Sequence, residues 1–157
     1  MKEKIIETRI QEVTLEQLTP LYAELVRQAR SATYRAYAPY SHFRVGAAIA
    51  LDNGQIVTGS NQENVAYPSG TCAERTAAYY AHATYPDARF TAIAIAAIGT
   101  DDLFTPDPTP PCGACRQALL EYETLAGHPV PVILAGRTTI YILPSIASLL
   151  PLSFTEF

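Results

Sequence analysis

Apolar residues recur along the chain in two patterns, one typical of helices and one typical of strands. The first helical pattern follows Thr19 and Pro20, which are typical of the N-cap and the first position of a helix. Its apolar face is predicted to contain Leu21, Leu25, Ala29 and Ala32. Because the residue before a proline avoids the helical conformation, we predict that this helix ends by Ala38, before Pro39.

The strand pattern is clearest around the sequence Asp52-Asn53-Gly54. Residues 45–51 and 55–58 flank these three residues and read as strands. Asn-Gly between two strands indicates a hairpin, because it tolerates positive φ at both turn positions. Further strands are predicted at 90–99, which has the length of a buried central strand, and at 130–135 and 138–143.

Further helices are predicted at 72–84, 112–123 and 145–150, and the segment 100–111 is rich in proline and aspartate and reads as a loop. Residues 1–13 alternate charged and apolar side chains, as an edge strand or an ordered arm does. The order α-β-β-α-β-α-β-β-α predicts an α/β fold with a five-stranded mixed sheet and helices on both faces. No repeat or linker divides residues 1–157, which we interpret as one domain with an N-terminal extension of open role at 1–20.

Composition and charge narrow the class of protein. Hydrophobic residues make up 48% of the chain and the mean hydropathy is +0.06, which favours an oligomer that shares an apolar face; a large core is the alternative. The net charge of −4, without a long Lys/Arg run, argues against nucleic-acid binding. No signal peptide or membrane-spanning stretch is evident, so no membrane partner is expected. Three cysteines, an odd number, fit poorly with disulfides and favour the cytoplasm.

All three cysteines lie in two short segments, and one has a carboxylate close behind it. Cys72 stands two residues before Glu74, and one helical turn separates Cys112 from Cys115. Cys72 and Cys112 fall where helices are predicted to begin, and the N–H groups of a helix N-terminus favour thiolate over thiol. Three thiolates suit zinc, and a site with three protein ligands leaves the fourth position for water, as in catalytic zinc sites. Glu74 is then the group that handles the protons of that water.

A structural zinc is the alternative, but it would normally take a fourth protein ligand. The histidines lie outside both cysteine segments and read as surface or loop residues: His42, His82 and His128. Three thiolates leave a net negative charge that blunts the effect of zinc on bound water. We therefore predict that Arg75 and Arg116, close to the ligands in sequence, donate hydrogen bonds to thiolate sulfurs. The other interpretation of each arginine is an exposed helix position or a surface ion pair.

The combination of Cys-x-Glu with Pro-Cys-x-x-Cys is the signature of zinc-dependent nucleobase deaminases. The chain resembles the small homotetrameric cytidine deaminases in separate motifs that together run from residue 40 to residue 154. These motifs are 40–48, 59–64 with Tyr67, the cysteine motifs at 72–75 and 111–117, and 149–154. The resemblance implies a three-layer cytidine-deaminase-like sandwich, one Zn²⁺ per subunit, and hydrolytic deamination of cytidine and 2′-deoxycytidine in pyrimidine salvage.

The resemblance also implies which residues bind the substrate. Asn61 and Glu63 match positions that bind the ribose, and their other interpretation is as turn residues. Phe43 matches the aromatic residue that packs on the pyrimidine ring, although it could equally be a core residue. The backbone N–H of Ala73 would meet the carbonyl oxygen of the base. Glu74 would act as proton shuttle, taking a proton from water and passing protons to N3 and to the leaving amino group.

Two aromatic positions imply that each site is completed by another subunit of a homotetramer. Phe154 matches an aromatic residue that reaches into a neighbouring site, and Tyr67 stands at a position linked to subunit contacts. The chain also departs from the family pattern. Pro110 replaces the usual Ser or Thr before Pro111 and lacks an N–H donor, and Ala66 stands where Ser is common.

Three other functions are compatible with this zinc motif. One is deamination of a modified or antibiotic nucleoside, against which the Asn61 and Glu63 pair argues, because it suits an unmodified ribose-type sugar. Another is editing of nucleic acid, which the pI of about 5.3 disfavours. The third is a non-catalytic zinc scaffold, which gives no reason for a carboxylate such as Glu74 beside a metal-bound water.

Overall fold

One mixed sheet with helices on both faces organises the chain. In the computed structural model, which describes residues 1–156, the six strands are arranged in the order β1-β6-β5-β4-β2-β3. In chain order the elements are β1 (Gln11–Val13), α1 (Pro20–Thr33), β2 (Arg44–Leu51), β3 (Ile56–Ser60), α2 (Ala73–Thr84), β4 (Phe90–Ile98), α3 (Gly113–Ala126), β5 (Val132–Ala135) and β6 (Ile140–Leu143). The predicted last helix is a short 3₁₀ turn at Ala147–Leu149.

The sheet has six strands where five were predicted. The additional strand is β1, which pairs antiparallel with β6 so that Val13 lies opposite Ile140. The alternation at residues 1–13 predicts either an edge strand or an arm. Three residues are too few to show the two-residue period by which a strand is recognised. The structure shows both, with exposed residues 1–10 leading into β1.

Alternate residues of the central strands build two cores, one on each face of the sheet. The core beneath α1 is rich in alanine, and its strand residues include Ala48, Ala50, Ala92, Ala94 and Ala96. The core beneath α2 and α3 takes the neighbouring positions, including Ala47, Ile49, Ile93 and Ile95. This arrangement confirms the predicted mixed sheet covered by helices on both faces.

The first helix begins where the sequence predicts and ends before Ala38, the predicted limit. Thr19 caps α1, its hydroxyl accepting the N–H of Tyr22 at 3.3 Å. The helix ends at Thr33 because the chain beyond it turns to pair with the segment after β3, where the Tyr37 N–H donates to the Asn61 carbonyl at 2.9 Å. Leu21 is 45% exposed, so the predicted apolar face does not include it.

The hairpin between β2 and β3 is confirmed, with a different turn from the one expected. Within this turn, Gly54 has positive φ, at 83°, and Asn53 does not. The Leu51 N–H donates to the Gln55 carbonyl at 2.9 Å, which closes a three-residue loop. A loop of this length needs one left-handed residue at its last position, and glycine supplies it.

The directions of β3 and β4 bring the two cysteine segments together. Both strands pair antiparallel with β2, so they run in the same direction and end at the same edge of the sheet. The helices α2 and α3 begin just beyond this edge. Helix α2 lies directly on β3 because Gly59 has no side chain; a Cβ there would lie 2.4 Å from the Ala77 nitrogen. We call this end of the sheet, where β3 and β4 finish, the metal edge; the term does not refer to an edge strand.

Candidate active site

Three thiols converge at the metal edge. Cys72 is the N-cap residue of α2, Cys112 is the N-cap residue of α3, and Cys115 lies in the first turn of α3. Their Sγ atoms all lie within 4.8 Å of one another, and all three cysteines are free. Sulfurs that share one zinc ion at about 2.3 Å lie about 3.8 Å apart in a tetrahedral site, so this group fits zinc with small side-chain adjustments.

Hydrogen bonds and helix termini favour a thiolate at Cys72. The guanidinium Nη2 of Arg75 lies 3.7 Å from Cys72 Sγ and donates to it. Hydrogen bonds from the Cys115 thiol and then from Arg75 lower the pKa of Cys72 to about 5. The same sulfur–sulfur hydrogen bond, together with burial, raises the pKa of Cys115. In the metal-free protein Cys72 therefore becomes a thiolate more readily than Cys115, and metal binding releases a proton from Cys115.

Glu74 is a buried carboxyl group beside this cluster. It lies in the first turn of α2 and is only 4% exposed. Burial is the main cause that raises the pKa of Glu74 to about 7, and the charge of Cys72 adds to it. A carboxyl group with this pKa exchanges protons near neutral pH, which is the property required of a general acid and base.

Arg116 was predicted to donate a hydrogen bond to a thiolate sulfur, but it donates to two backbone carbonyls instead. Its Nε donates to the Pro111 carbonyl at 2.9 Å, and its Nη1 donates to the Leu149 carbonyl at 2.9 Å. The partners account for the difference, because the carbonyls of Pro111 and Leu149 take the guanidinium donors that Arg116 would offer to a sulfur.

A cavity of about 560 Å³ opens beside the thiols. Cys72 and Arg75 form one wall, and the other lining residues belong to two loops: Tyr40, Ser41, Asn61, Gln62, Glu63, Asn64, Tyr67, Gly70 and Thr71. This volume lies within the range of small-molecule sites, about 300–1,000 Å³. The cavity therefore has room for a small polar substrate next to the metal ligands.

Asn61 joins the two loops that line this cavity. Its Oδ1 accepts the N–H of Val45 at 2.7 Å, and its Nδ2 donates to the carbonyl of Phe43 at 2.9 Å. One amide N–H and one lone pair remain for a ligand. The local sequence does not predict these bonds, because nothing in it indicates which backbone groups the amide would meet.

Glu63 organises the loop on the other side of the cavity. Its carboxylate accepts the N–H groups of Tyr40 at 2.9 Å and Ser41 at 3.3 Å, together with the hydroxyl of Ser41. The Ser41 hydroxyl is the main cause that holds the pKa of Glu63 below its ordinary value of 4.5. Tyr40 and Ser41 are thus site residues that were not predicted, although both belong to the motif at residues 40–48.

Four predicted site residues remain, and one of them, Tyr67, lines the cavity. Ala73 is buried at the start of α2. Tyr67 lines the cavity with 79% of its surface exposed. Phe43 is half-buried at the entry to β2, and Phe154 is 66% exposed beside α3, where its carbonyl accepts from Gln117 Nε2 at 2.8 Å. Neither phenylalanine lines the cavity of its own chain.

Comparison with known proteins defines the class. The chain matches the family described as "Cytidine and deoxycytidylate deaminase zinc-binding region" over residues 21–126. It is 37% identical over 133 residues to the cytidine deaminase of Sporosarcina psychrophila, covering 85% of this chain and 90% of the relative. It is 43% identical over 97 residues to that of Halalkalibacterium halodurans, covering 62% of this chain and 68% of the relative. The chain belongs to the cytidine and deoxycytidylate deaminase family.

Solved structures agree with this assignment. The crystal structure of cytidine deaminase from Burkholderia pseudomallei is similar with a TM-score of 0.69 and 35% identity, over 87% of this chain and all of that one (100%). Cytidine deaminase from Mycobacterium tuberculosis is similar with a TM-score of 0.66 and 33% identity, over 86% of this chain and 98% of that one. The likeness extends over most of the sheet and its helices.

Proposed function

We propose that this chain is a zinc-dependent cytidine deaminase that hydrolyses cytidine and 2′-deoxycytidine to uridine and 2′-deoxyuridine, with release of ammonia. One observation carries the proposal. The buried carboxyl group of Glu74 lies two residues beyond Cys72, which is one of three convergent thiols and itself lines a cavity of substrate size. A structural zinc site gives no reason to bury a carboxyl group there, because burial of a charge is costly unless function requires it.

The three thiols would hold the metal, and the chain offers no fourth ligand of the same kind near them among residues 1–156. Zinc held there would supply a Lewis acid that lowers the pKa of water. Arg75 withdraws negative charge from Cys72 through its hydrogen bond. This matters because three thiolates on a divalent cation leave a net negative charge.

Glu74 moves the protons of the reaction in this proposal. It takes one proton from the attacking water and passes it to N3 of the pyrimidine. It then takes the remaining proton of the added hydroxyl group and passes it to the amino group, which leaves as ammonia. One water is consumed and one ammonia is released for each cytidine. The burial of Glu74 keeps bulk water away, so that the proton it receives stays with the substrate.

The loop residues bind the nucleoside. Asn61 and Glu63 hold the sugar hydroxyls with the hydrogen-bonding capacity that their backbone contacts leave free. The N–H of Ala73 meets the carbonyl oxygen of the base. Phe43, which lies just before β2 and outside the lining of the cavity, reaches the pyrimidine ring by a rotation of its side chain. The support is geometric, since Asn61 and Glu63 both line the cavity next to Cys72.

The enzyme is a homotetramer in which neighbouring subunits complete each site. Two large exposed aromatic residues support this part of the proposal, because such side chains commonly mark interfaces. Tyr67 is 79% exposed at the rim of the cavity, and Phe154 is 66% exposed. In this arrangement Phe154 enters a neighbouring site, which explains why it does not line the cavity of its own chain.

We place the enzyme in the cytoplasm. None of the helices within residues 1–156 has the length and apolar character needed to cross a membrane. The support for the cytoplasm is chemical: a site of three free thiols requires a reducing compartment.

An ultraviolet assay tests the function directly. Zinc-loaded protein should deaminate cytidine and 2′-deoxycytidine, and lose activity when a chelator removes the metal while circular dichroism still shows a folded chain. Glu74→Gln should keep bound zinc but lower kcat by about 10²- to 10⁴-fold. Glu121→Gln, at an exposed position of α3, is the control and should behave as the wild type. Near-normal kcat in Glu74→Gln, or a zinc-loaded wild type without deaminase activity, would overturn the proposal.

A further inference from the structure

The C-terminal turn, residues 145–149, is attached to α3 by a carboxylate. Glu123 Oε2 accepts the N–H of Ile146 at 2.7 Å and the N–H of Val130 at 2.8 Å, and Oε1 accepts the N–H of Ala147 at 3.1 Å. Bonds between a charged acceptor and backbone N–H groups are among the stronger hydrogen bonds of proteins. The start of the C-terminal turn is therefore fixed relative to α3.

Arg116 connects the end of this turn to the loop that carries a metal ligand. Its Nη1 donates to Leu149 and its Nε to Pro111, both at 2.9 Å, and both of these residues are buried. Pro111 immediately precedes Cys112. Because the guanidinium group is planar and rigid, two bonds in different directions fix the Pro111 carbonyl relative to the C-terminal turn. Lysine has no such fork.

The N-terminal arm, the exposed residues 1–10 that lead into β1, contacts this connection. The hydroxyl of Thr8 donates to the Ser148 carbonyl at 2.8 Å, and Gln11 begins the pairing of β1 with β6. A cavity of about 370 Å³ lies between the arm and the loop that precedes Cys112. Its lining includes Thr8, Ile10, Pro110, Arg116 and Leu149. The arm thus shares this cavity with the loop that precedes Cys112, and the cavity has no lining residue in common with the substrate cavity.

We propose that Arg116 is a positioning residue for the metal ligand Cys112, and that the N-terminal arm supports it through the C-terminal turn. The series of contacts runs from Thr8 to Ser148, and from Leu149 through Arg116 to Pro111 and Cys112. The inference rests on the proposed zinc-dependent function. Its consequence is that a residue that touches neither metal nor substrate, together with an exposed arm, sets the affinity for zinc.

The test measures zinc affinity by competition with a chromophoric chelator, without substrate. Arg116→Gln should weaken zinc binding by about 10- to 100-fold, the usual effect of losing an outer partner of a metal ligand. Glu121→Gln, at an exposed position of the same helix, is the control and should leave the zinc Kd within about 3-fold of that of the wild type. Glu123→Gln weakens the hold on the C-terminal turn but keeps Arg116 and its bond to Pro111. It should lower the free energy of unfolding of the metal-free protein and weaken zinc binding by less than Arg116→Gln does.

Arg116→Lys guards against loss of folding in the first variant. It keeps the charge and a donor but cannot reach both carbonyls, so its zinc Kd should lie between those of the wild type and Arg116→Gln. Deletion of residues 2–9 should weaken zinc binding by about 3-fold or more, as expected from a lost hydrogen bond and its packing. Thr8→Val should produce part of that effect.

The outcomes separate this inference from the proposed function. A folded Arg116 variant with the zinc Kd of the wild type overturns the role of Arg116. An unchanged Kd after deletion of residues 2–9 overturns the role of the arm. In both cases a wild type that binds zinc and deaminates cytidine leaves the proposed function intact. A wild type that does not bind zinc overturns both.

Discussion

The side-chain amide of Asn61 donates to the backbone carbonyl of Phe43 at 2.9 Å. The same amide accepts the N–H of Val45 at 2.7 Å, so one side chain satisfies a donor and an acceptor at the entry to β2. This pair of bonds joins the loop after β3 to the loop before β2, and both loops line the substrate cavity. Asn61 therefore holds the walls of the cavity together, in addition to its proposed contact with the sugar.

Asn61→Asp should lower the free energy of unfolding by about 1–3 kcal/mol. The substitution keeps the acceptor for Val45 but places a charged oxygen against the Phe43 carbonyl, where a donor is required. The value is measured by urea denaturation of the zinc-loaded protein. KM for cytidine should also rise, because the cavity walls lose their connection.

Asn53→Asp is the control for this variant. Asn53 also accepts a backbone N–H, from Gln55 at 3.0 Å, but it lies in the hairpin turn and makes no bond through its amide nitrogen. The free energy of unfolding should change by less than about 0.5 kcal/mol. Equal losses in the two aspartate variants would mean that the bond to Phe43 contributes nothing specific.

Gly59→Ala should destabilise the protein by about 1–3 kcal/mol or more. The added Cβ would lie 2.4 Å from the nitrogen of Ala77 and 2.7 Å from the carbonyl oxygen of Ala73, both backbone atoms of α2 that cannot move alone. Displacement of α2 moves Cys72 and Glu74 with it, so kcat should fall as well. Thermal unfolding and the deaminase assay measure the two effects.

Gly113→Ala provides the comparison, because a Cβ at position 113 meets no atom within 4 Å. Alanine is also the better helix former, so the melting temperature should stay the same or rise slightly. If Gly59→Ala were as stable as Gly113→Ala, the close contact between β3 and α2 would not be essential.

The contribution of Glu63 to stability should depend on pH. Hydrogen bonds from Ser41, and then from backbone N–H groups, hold the pKa of Glu63 below its ordinary value in the folded protein. The charged carboxylate therefore stabilises the folded state above the pKa of the unfolded chain, and this contribution is lost as the pH falls through the folded pKa. Glu63→Gln should lower the free energy of unfolding more at about pH 7 than at about pH 3.

Denaturant titrations of the wild type and Glu63→Gln at each pH measure this difference, and the loss of zinc in acid affects both proteins alike. Ser41→Ala should raise the pKa of Glu63 toward its ordinary value, and NMR titration of the carboxyl carbon reports that shift. A difference between wild type and Glu63→Gln that is constant with pH would contradict the assignment.

Mixed oligomers can reveal whether Phe154 acts on a neighbouring site. Glu74→Gln and Phe154→Ala subunits should each have little activity alone. When the two are refolded together, activity should return, because a Phe154→Ala subunit keeps its own Glu74 and receives Phe154 from its neighbour. With random mixing and one donor for each site, about a quarter of the sites are complete. Activity that stays at the level of the separate variants would place Phe154 outside the neighbouring site.

The sequence predicted those parts of the structure that depend on local signals. Thr19 and Pro20 mark the start of α1, and Cys72 and Cys112 stand at the starts of α2 and α3, where short-range capping rules apply. The convergence of the cysteines was also predictable, because their sulfurs suit a single zinc ion. The family resemblance then supplied the fold.

Contacts between residues that are far apart in the chain could not be predicted from the sequence. The direction of Arg116 depends on two carbonyls from separate loops, and the pattern around Cys115 says nothing about them. Leu21 has the right period for the core, yet it lies in the first turn of α1 and is 45% exposed. The β1 strand forms only because β6 offers it an unpaired edge. In each case the deciding partner is far away in the chain.

The hairpin turn and the cysteines stand at opposite ends of β3, since this strand starts beside Gly54 and finishes toward the metal edge. The turn is also tied to the loop before β4, where the Asp52 N–H donates to the Arg89 carbonyl at 2.9 Å. Protein engineers can therefore splice an affinity tag or a fluorescent reporter after Asn53 and immobilise the enzyme on a sensor chip, leaving nucleosides free to enter from the far side.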